Sequence, residues 1–419
     1  MTRYVAVFVA ASLTTSWLAA QEASSGLSIA ATISADGRVV RSQEGGELAQ
    51  NRATAGFRAL LSPSLRLNSH WFAYSVVDVQ SSNYLSYKVG WDSGSPVKAS
   101  LMQGYIGYRA DLKSASILVK AGRLVSAFGL YPLDYDDAKT ALIEPPPAYT
   151  ANLPLRPDQL PCNLFNVLYQ GYEDGVRFNC NGPVKNRRGI VPVTLYGIPG
   201  FETQVSWKRM DARLQITNSS PANPQSLLSG SQSLQWTAGG GYSFHGGFHL
   251  GISGFRGPYL EDVLLPLLPS GKRICDYPAS GIGIDATFSR GPWSFNGEWQ
   301  RFVFSLPAWT VSPSDQAEYL EVKRILSPRI YIAFRSSGQQ PGPATDSFNN
   351  SSSQIAARQE TEELVWGYRL SRLQLLKAGL TYSNRNAGYW GNDYWHGEHG
   401  FGAEIQLVTS LDAISKAFR

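Results

Sequence analysis

Alternation of apolar and polar residues along short segments is the feature that most constrains this chain. The segment 401–410 shows it plainly, with an apolar residue at every second position: Phe401, Ala403, Ile405 and Leu407. Successive side chains of a β-strand point to opposite faces, so such a segment has one apolar and one polar face. About eighteen segments of this kind follow one another from Leu27 onward, and the connections between them are alternately short and long. This pattern is typical of a β-barrel that spans an outer membrane, with lipid outside and water inside.

The expected fold is therefore all-β. It is a single transmembrane antiparallel β-barrel of about 18 strands, with short periplasmic turns and long outer loops. A barrel of about 16 strands is the alternative, because the connection Gly197–Gly200 is short where a long one is expected. The predicted strands include Leu65–Val79, Val167–Asn179 and Ile190–Tyr196. Short turns are predicted at Ser62–Ser64 and at residues 110–113, 245–247 and 290–292.

The first twenty residues have the pattern of a secretory signal peptide. Arg3 precedes an apolar run over residues 4–13, and small residues follow up to Ala19 and Ala20. Later segments do not approach the ~18–20 apolar residues that a spanning helix requires. The expected organisation is a signal peptide at residues 1–20 and a barrel at residues 21–419, located in the outer membrane of a Gram-negative bacterium.

The composition agrees with a protein that is embedded in lipid. Charged residues make up 16% of the chain, whereas a soluble protein usually carries about 25%. The chain also has 21 Tyr and 11 Trp, the residues that favour the membrane interface. A soluble exported all-β protein is the alternative. The net charge of +5 and the lack of any long run of Lys and Arg argue against nucleic-acid binding.

Three cysteines in an exported chain permit one disulfide bond. Cys162 and Cys275 fall in predicted outer loops on the same side of the barrel. Cys180 follows the predicted strand Val167–Asn179, which would carry it toward the opposite rim. The expected disulfide therefore joins Cys162 to Cys275, although a shorter strand would allow Cys162 to pair with Cys180.

The signal peptide, the number of amphipathic strands and the long third outer loop together resemble the outer-membrane porins, both general and substrate-specific. The nearest approach to a motif is Lys120-Ala121-Gly122-Arg123 followed by Phe128-Gly129, which resembles a strand ending of phosphate- and sugar-selective porins. The resemblance implies passive diffusion of small hydrophilic solutes through a barrel surrounded by outer-membrane lipid, without a cofactor. It also allows a homotrimer.

The resemblance further implies that the third outer loop, residues 125–166, folds into the lumen and narrows it. This loop carries five acidic residues: Asp134, Asp136, Asp137, Glu144 and Asp158. The inward faces of nearby strands supply four basic residues: Arg58, Arg66, Arg109 and Lys120. An acidic loop across from a basic wall would create a transverse field that filters solutes, with a weak anion preference. The alternative is that these charges only solvate a wide pore and pair across strands.

Inward charges are also predicted on the remaining strands. The basic ones include Lys208, Arg213, Lys323, Arg329, Arg335, Arg369 and Lys377. The acidic ones include Glu202, Asp285, Glu298, Glu321, Glu363 and Glu404.

Enzymatic and metal chemistry have little support in the sequence. The chain has five histidines and no Gly-x-Ser-x-Gly nucleophile motif, so we expect neither an enzyme nor a metal site. The alternative function is a non-conducting barrel, plugged by residues 125–166, that serves as a surface binding or structural protein.

Overall fold

The computed structural model describes residues 26–44, 47–48, 52–82, 84–85, 97–133, 135–170, 189–218, 220, 234–385, 388–390, 393–395 and 398–411. The predicted signal peptide at residues 1–20 and the predicted site residue Asp134 lie outside the described residues. Among the described residues, no helix is long and apolar enough to cross a membrane.

The fold is all-β and is built around sixteen long antiparallel strands. In chain order they are β1 (Leu27–Glu44), β2 (Arg52–Arg66), β3 (Trp71–Ser81), β4 (Val97–Asp111), β5 (Ala115–Leu124), β6 (Ile198–Trp207), β7 (Met210–Thr217), β8 (Gln235–Ser243), β9 (Phe248–Pro258), β10 (Pro278–Arg290), β11 (Trp293–Phe304), β12 (Ser314–Ser327), β13 (Ile330–Pro341), β14 (Gln359–Arg369), β15 (Gln374–Arg385) and β16 (Glu398–Leu411).

Each strand pairs with the next one along the chain, and the last pairs with the first. The closing ladder of β1 and β16 runs from Ala31 opposite Leu411 to Glu44 opposite Glu398. On its other side β1 pairs with β2, from Leu27 opposite Leu65 to Val40 opposite Arg52. The sheet is therefore a closed barrel, which removes the exposed strand edges that an open sheet would have.

Short additional elements lie in the connections. The helix α1 covers Leu164–Gln170, and four 3₁₀ turns cover Tyr131–Leu133, Pro147–Tyr149, Asp262–Leu267 and Ile274–Asp276. The minor strands are Glu47–Leu48, Trp309–Val311, Pro343–Asp346, Ser352–Gln354, Gly388–Trp390 and Asp393–Trp395.

The strand count corrects the expectation of about 18 strands and matches the alternative of sixteen. Val167 lies in helix α1, and Ile190 makes only an isolated bridge to Leu153 before an irregular stretch that reaches β6. Val167, Ile190 and Val193 are buried in a hydrophobic cluster inside the barrel mouth. The apolar residues of this alternating pattern are therefore buried in a packed core and do not face lipid.

The connections at one end of the barrel are tight turns. The predicted turns near residues 110–113, 245–247 and 290–292 are confirmed. Gly247 has φ +89°, and a Cβ there would lie 2.2 Å from the carbonyl oxygen of Ser289, so this turn requires glycine.

The predicted turn Ser62–Ser64 is wrong, as is the single strand Leu65–Val79. Ser62–Ser64 lies inside β2, and the chain turns at residues 67–70, where Asn68 Oδ1 accepts hydrogen bonds from the N–H groups of His70 and Trp71, each 2.8 Å long. Pro63 is tolerated because the ladder between β2 and β3 is interrupted there, so no N–H group is needed.

The alternation predicted from the sequence is confirmed as the division between the outer and inner faces of the barrel. Ile405 is 52% exposed on the outer surface, whereas its neighbour Gln406 is completely buried on the inner face. Trp71 is likewise exposed outside and Phe72 buried inside. The exposed outer side chains form an apolar surface that includes Ile33, Val39, Phe57, Leu101, Ile106, Val205, Leu214, Ile252, Ile284, Leu320, Phe334, Trp366 and Leu380.

Candidate pore constriction

The connection from β5 to β6, residues 125–197, is the third outer loop and is by far the longest. It runs past the predicted end at residue 166, because β6 begins only at Ile198. Its first residues are buried inside the barrel, with Ser126, Ala127 and Phe128 completely covered. Gln215 on β7 receives it: its side-chain amide donates to the Val125 carbonyl at 2.8 Å, and its carbonyl accepts from the Ala127 N–H at 3.3 Å. The chain then crosses the lumen.

Glu298 on β11 holds the first turn of the crossing segment. Its buried carboxylate accepts hydrogen bonds from two successive backbone N–H groups, those of Leu130 and Tyr131, and one from the hydroxyl of Tyr149. A carboxylate that accepts several N–H and O–H bonds is well compensated for its removal from water. The loop is thus attached through its backbone as well as its side chains.

Gly129 is the residue that allows this close approach. Its carbonyl accepts a hydrogen bond from Arg213 at 2.8 Å, and its N–H donates to the hydroxyl of Ser253 at 3.1 Å. The residue has φ +76°, and a Cβ there would lie 2.5 Å from the hydroxyl oxygen of Tyr149. Glycine adopts this left-handed conformation without strain, and any larger residue would also displace the Tyr149 side chain.

Glu363 on β14 repeats the same attachment farther along the loop. Its Oε1 accepts hydrogen bonds from the backbone N–H groups of Ile143 at 2.7 Å and Glu144 at 3.1 Å. Its Oε2 pairs with Arg335 of β13 at 2.6 Å, and Arg335 also donates to the Glu144 carbonyl. Both side chains of this ion pair are buried.

Lys377 on β15 is enclosed by the loop. Its ammonium donates to the backbone carbonyls of Asp137 at 2.8 Å and Leu142 at 3.0 Å, and to the hydroxyl of Thr140 at 3.4 Å. The side chain is completely buried. The segment 137–142 therefore wraps around one wall cation.

The tip of the loop also meets Arg58 of β2, on the same side of the barrel as Lys377. Arg58 pairs with Asp78 of β3 at 3.2 Å and with Asp137 of the loop at 3.5 Å. Asp137 also accepts hydrogen bonds from Ser34 at 2.8 Å and from the hydroxyl of Tyr84 at 3.0 Å. Burial raises the pKa of Tyr84 above its ordinary value, so this phenol stays neutral and can donate.

Arg38 of β1 joins the middle of the loop to the barrel seam. Its guanidinium lies 3.0 Å from the carboxylate of Glu144 and 2.7 Å from that of Glu404 on β16. Arg38 and Glu404 are buried. Together with Arg58 and Lys377, this contact ties the loop to the side of the barrel where the first and last strands meet.

The structure brings together only some of the residues predicted for the constriction. Asp137 meets Arg58, and Glu144 meets Arg38, which the sequence pattern did not single out. Asp136 serves a local turn, where its Oδ1 accepts a hydrogen bond from the Ala138 N–H at 3.0 Å.

The other predicted charges have partners elsewhere. Asp158 pairs with Arg156 inside the loop at 3.5 Å. The three remaining wall cations have these contacts: Lys120 with Glu202 at 2.9 Å, Arg109 with Asp111 at 3.0 Å, and Arg66 with the Asn68 carbonyl at 3.4 Å. Among the described residues, the charges Asp137, Glu144, Arg38 and Arg58 at this candidate constriction are consequently in direct contact, and do not face one another across a gap.

A hydrophobic cluster lies at part of the outer mouth, above this candidate constriction. It joins the later part of the third loop to the connection between β9 and β10 and to the outer ends of β11 and β12. Its members include Phe128, Leu153, Leu155, Leu160, Val193, Phe255, Tyr259, Leu264, Phe302, Phe304 and Tyr319. The inward-folded loop therefore has a packed core of its own.

The predicted Cys162–Cys275 disulfide is wrong. Cys162 is disulfide-bonded, whereas Cys275 is an exposed free thiol. The prediction relied on a strand over Val167–Asn179, but Leu164–Gln170 is a helix that begins after Asn163, whose side chain accepts the Asn166 N–H at 3.1 Å. Cys180, the other partner considered, lies outside the described residues.

No family model matches the chain, and no curated protein matches it in sequence. Solved structures with a similar fold include the anion-selective porin from Comamonas acidovorans, at 10% identity and a TM-score of 0.54 over 92% of this chain and 100% of that one. The outer-membrane channel DcaP of Acinetobacter baumannii matches at 9% identity and 0.51, over 92% and 98% of the two chains. Salmonella typhi OmpF in complex with daunomycin matches at 11% and 0.50, over 91% and 98%. The architecture of this chain is that of the porins.

Proposed function

We propose that this barrel is an outer-membrane porin through which small hydrophilic solutes diffuse passively, past a constriction made by the third outer loop. The observation that carries the proposal is the division of the wall: apolar side chains cover the outside, while charged and polar side chains line the inside. A barrel with those two faces suits lipid outside and an aqueous lumen inside. A channel also needs no catalytic group, in agreement with the expectation that the chain is not an enzyme.

Charge selectivity in the proposed pore depends on where the unpaired charges lie. At the constriction, Arg38, Arg58 and Arg335 each contact a carboxylate, so their fields largely cancel at a distance. Other basic residues, such as Arg329 and Arg369, are exposed and lie at the short-turn end of the barrel, away from these paired charges. A weak anion preference follows, and the reversal potential in a salt gradient measures it; cation preference would contradict it.

The outer surface of β1–β5 supports the proposed homotrimer. Its outward residues include several small ones: Ala35, Gly37, Ala55, Ala73, Ser75, Ala99, Gly104 and Ala121. A shallow apolar groove crosses β2–β5 beside Leu65, Leu101 and Ile106. Small residues let two barrels approach closely, whereas β6–β11 present bulky aromatic side chains such as Trp207 and Trp236. Light scattering of the detergent-purified protein would measure the mass of the complex.

A second candidate function, a non-conducting surface or structural barrel, is favoured by the attachment of the loop. The loop is bonded to wall residues on opposite sides of the lumen, including Arg58, Glu298 and Glu363. The hydrophobic cluster covers part of the outer mouth.

Planar-bilayer recording of the purified protein separates the two functions. Stepwise currents, absent from an identical preparation of cells that lack the protein, would support the porin. If protein with heat-modifiable electrophoretic mobility, and therefore folded, gave no current, the channel proposal would be wrong and the non-conducting barrel would replace it.

A further inference from the structure

A small cavity lies under the third loop at the short-turn end of the barrel. Its volume is about 90 Å³. Residues 138–140 of the loop form one side, and the turn between β12 and β13 with the ends of β12–β15 forms the other. One water molecule needs only about 10–15 Å³ of such space, so the cavity has room for a small solute group.

Four basic residues line this cavity: Lys139, Lys323, Arg329 and Arg369. Among the described residues of its lining there is no Asp or Glu. Within the part of the chain that the structure describes, no ion pair joins Lys323, Arg329 or Arg369 to a carboxylate. Glu321 is the nearby acid, two residues before Lys323 on β12, and it also interacts with Arg335 and Lys377. The cavity therefore concentrates positive charge, in contrast to the paired charges of the constriction.

The wall of the cavity is firmly built. Tyr331 lines it, and its hydroxyl donates to the Ala141 carbonyl at 2.9 Å, which fixes the loop above. The Lys323 ammonium lies 4.6 Å from the centre of the Tyr331 ring, which partly compensates its charge. The backbone N–H of Lys139 donates to the Asp136 carbonyl at 2.8 Å and closes a turn. This turn is next to the loop carbonyls that bind the Lys377 ammonium. These contacts hold the Lys323 ammonium and the loop backbone beside it in place before any ligand arrives.

We propose that this cavity binds the oxyanion group of a small solute, either a phosphate or a carboxylate, at the periplasmic end of the lumen. Guanidinium groups bind both kinds of oxyanion through paired N–H donors, and the two lysines add point charges. Arg329 and Arg369 are exposed, so a solute can reach them from the periplasmic opening. The inference deepens the proposed porin function and depends on it for its biological role, but binding itself does not require a conducting pore.

Isothermal titration calorimetry of the detergent-purified, full-length protein tests the site, at constant ionic strength, with inorganic phosphate and with succinate as probes. The variants Arg329→Gln and Arg369→Gln each remove one cation from the lining. Arg372→Gln is the matched control, because Arg372 lies in the adjacent exposed turn and is not part of the lining. We expect the affinity to fall by about five- to tenfold in each lining variant, and to stay within twofold in the control.

Tighter binding of phosphate than succinate would identify a phosphate-bearing solute, and the reverse order a carboxylate. Absence of millimolar binding of both probes would overturn the proposal, as would equal weakening by Arg372→Gln. Heat-modifiable mobility checks that each variant is folded. If binding follows this pattern in a protein that gives no current, the anion site stands and the porin function fails. Currents without binding would refute the anion site and leave the porin function standing.

Discussion

Removal of the Lys377 ammonium tests whether the third loop is held in the lumen by its backbone contacts. Lys377→Met keeps most of the apolar stem but leaves the carbonyls of Asp137 and Leu142 without their donor. Two charge-assisted hydrogen bonds contribute about 3–6 kcal/mol together. Burial of the ammonium also carries a desolvation penalty of several kcal/mol, and the methionine variant does not incur this penalty. The expected net loss is about 2 kcal/mol, or about a 30-fold shift of the loop toward its undocked state.

Limited proteolysis within residues 125–197 measures this shift, because cleavage follows the population of the open form when opening is rapid. Lys323→Met is the matched control, since it removes the same charge from the lumen and Lys323 makes no hydrogen bond to the described residues of the loop. We expect cleavage to be about 30-fold faster in Lys377→Met and close to wild type in the control. If both variants were cleaved within twofold of wild type, the ammonium would not be what holds the loop.

Two further predictions concern the barrel wall and the outer loops. Leu214→Arg places a charge on the lipid-facing side of β7, where Leu214 is 50% exposed, and should lower the free energy of unfolding by about 2–4 kcal/mol, measured by urea unfolding from lipid vesicles. The control Gln204→Arg, on the lumen side of β6, should lower it far less. Equal losses in the two variants would contradict the assignment of faces. Cys275 should react with a membrane-impermeant maleimide on intact cells without reductant, whereas Cys162 should react only after reduction. Labelling of Cys162 alone, without reductant, would show that Cys162 is the free thiol and Cys275 the bonded cysteine.

The alternation of side chains could be interpreted from the sequence because it is a local property. Neighbouring residues of a strand point to opposite faces whatever the strand pairs with, so Ile405 and Gln406 could be assigned to opposite faces without knowledge of the partner strands. The tight turns with glycine, such as the one at Gly247, could be located for the same reason.

Local patterns were misleading where two structures satisfy them equally well. Asp36 and Gly37 are residue types that favour turns, so local composition alone would end a strand before them. In the structure β1 continues to Glu44, with Gly37 paired to Ile405, and this brings Arg38 to the loop. Val167 belongs to an apolar pattern that fits a lipid-facing strand, but a packed cluster within the lumen buries it just as well.

The sequence by itself determined that this chain forms a barrel with one apolar and one polar surface, since that property depends only on the period of two. It also placed Glu298, Glu363 and Lys377 on the inner surface. Only the tertiary structure decided that these three hold the backbone of the third loop, and that Asp137 and Glu144 contact wall cations whereas Asp158 and Lys120 are paired elsewhere. Those contacts join residues up to 240 positions apart. They depend on the closure of the barrel and the path of one long loop, and no local pattern encodes either.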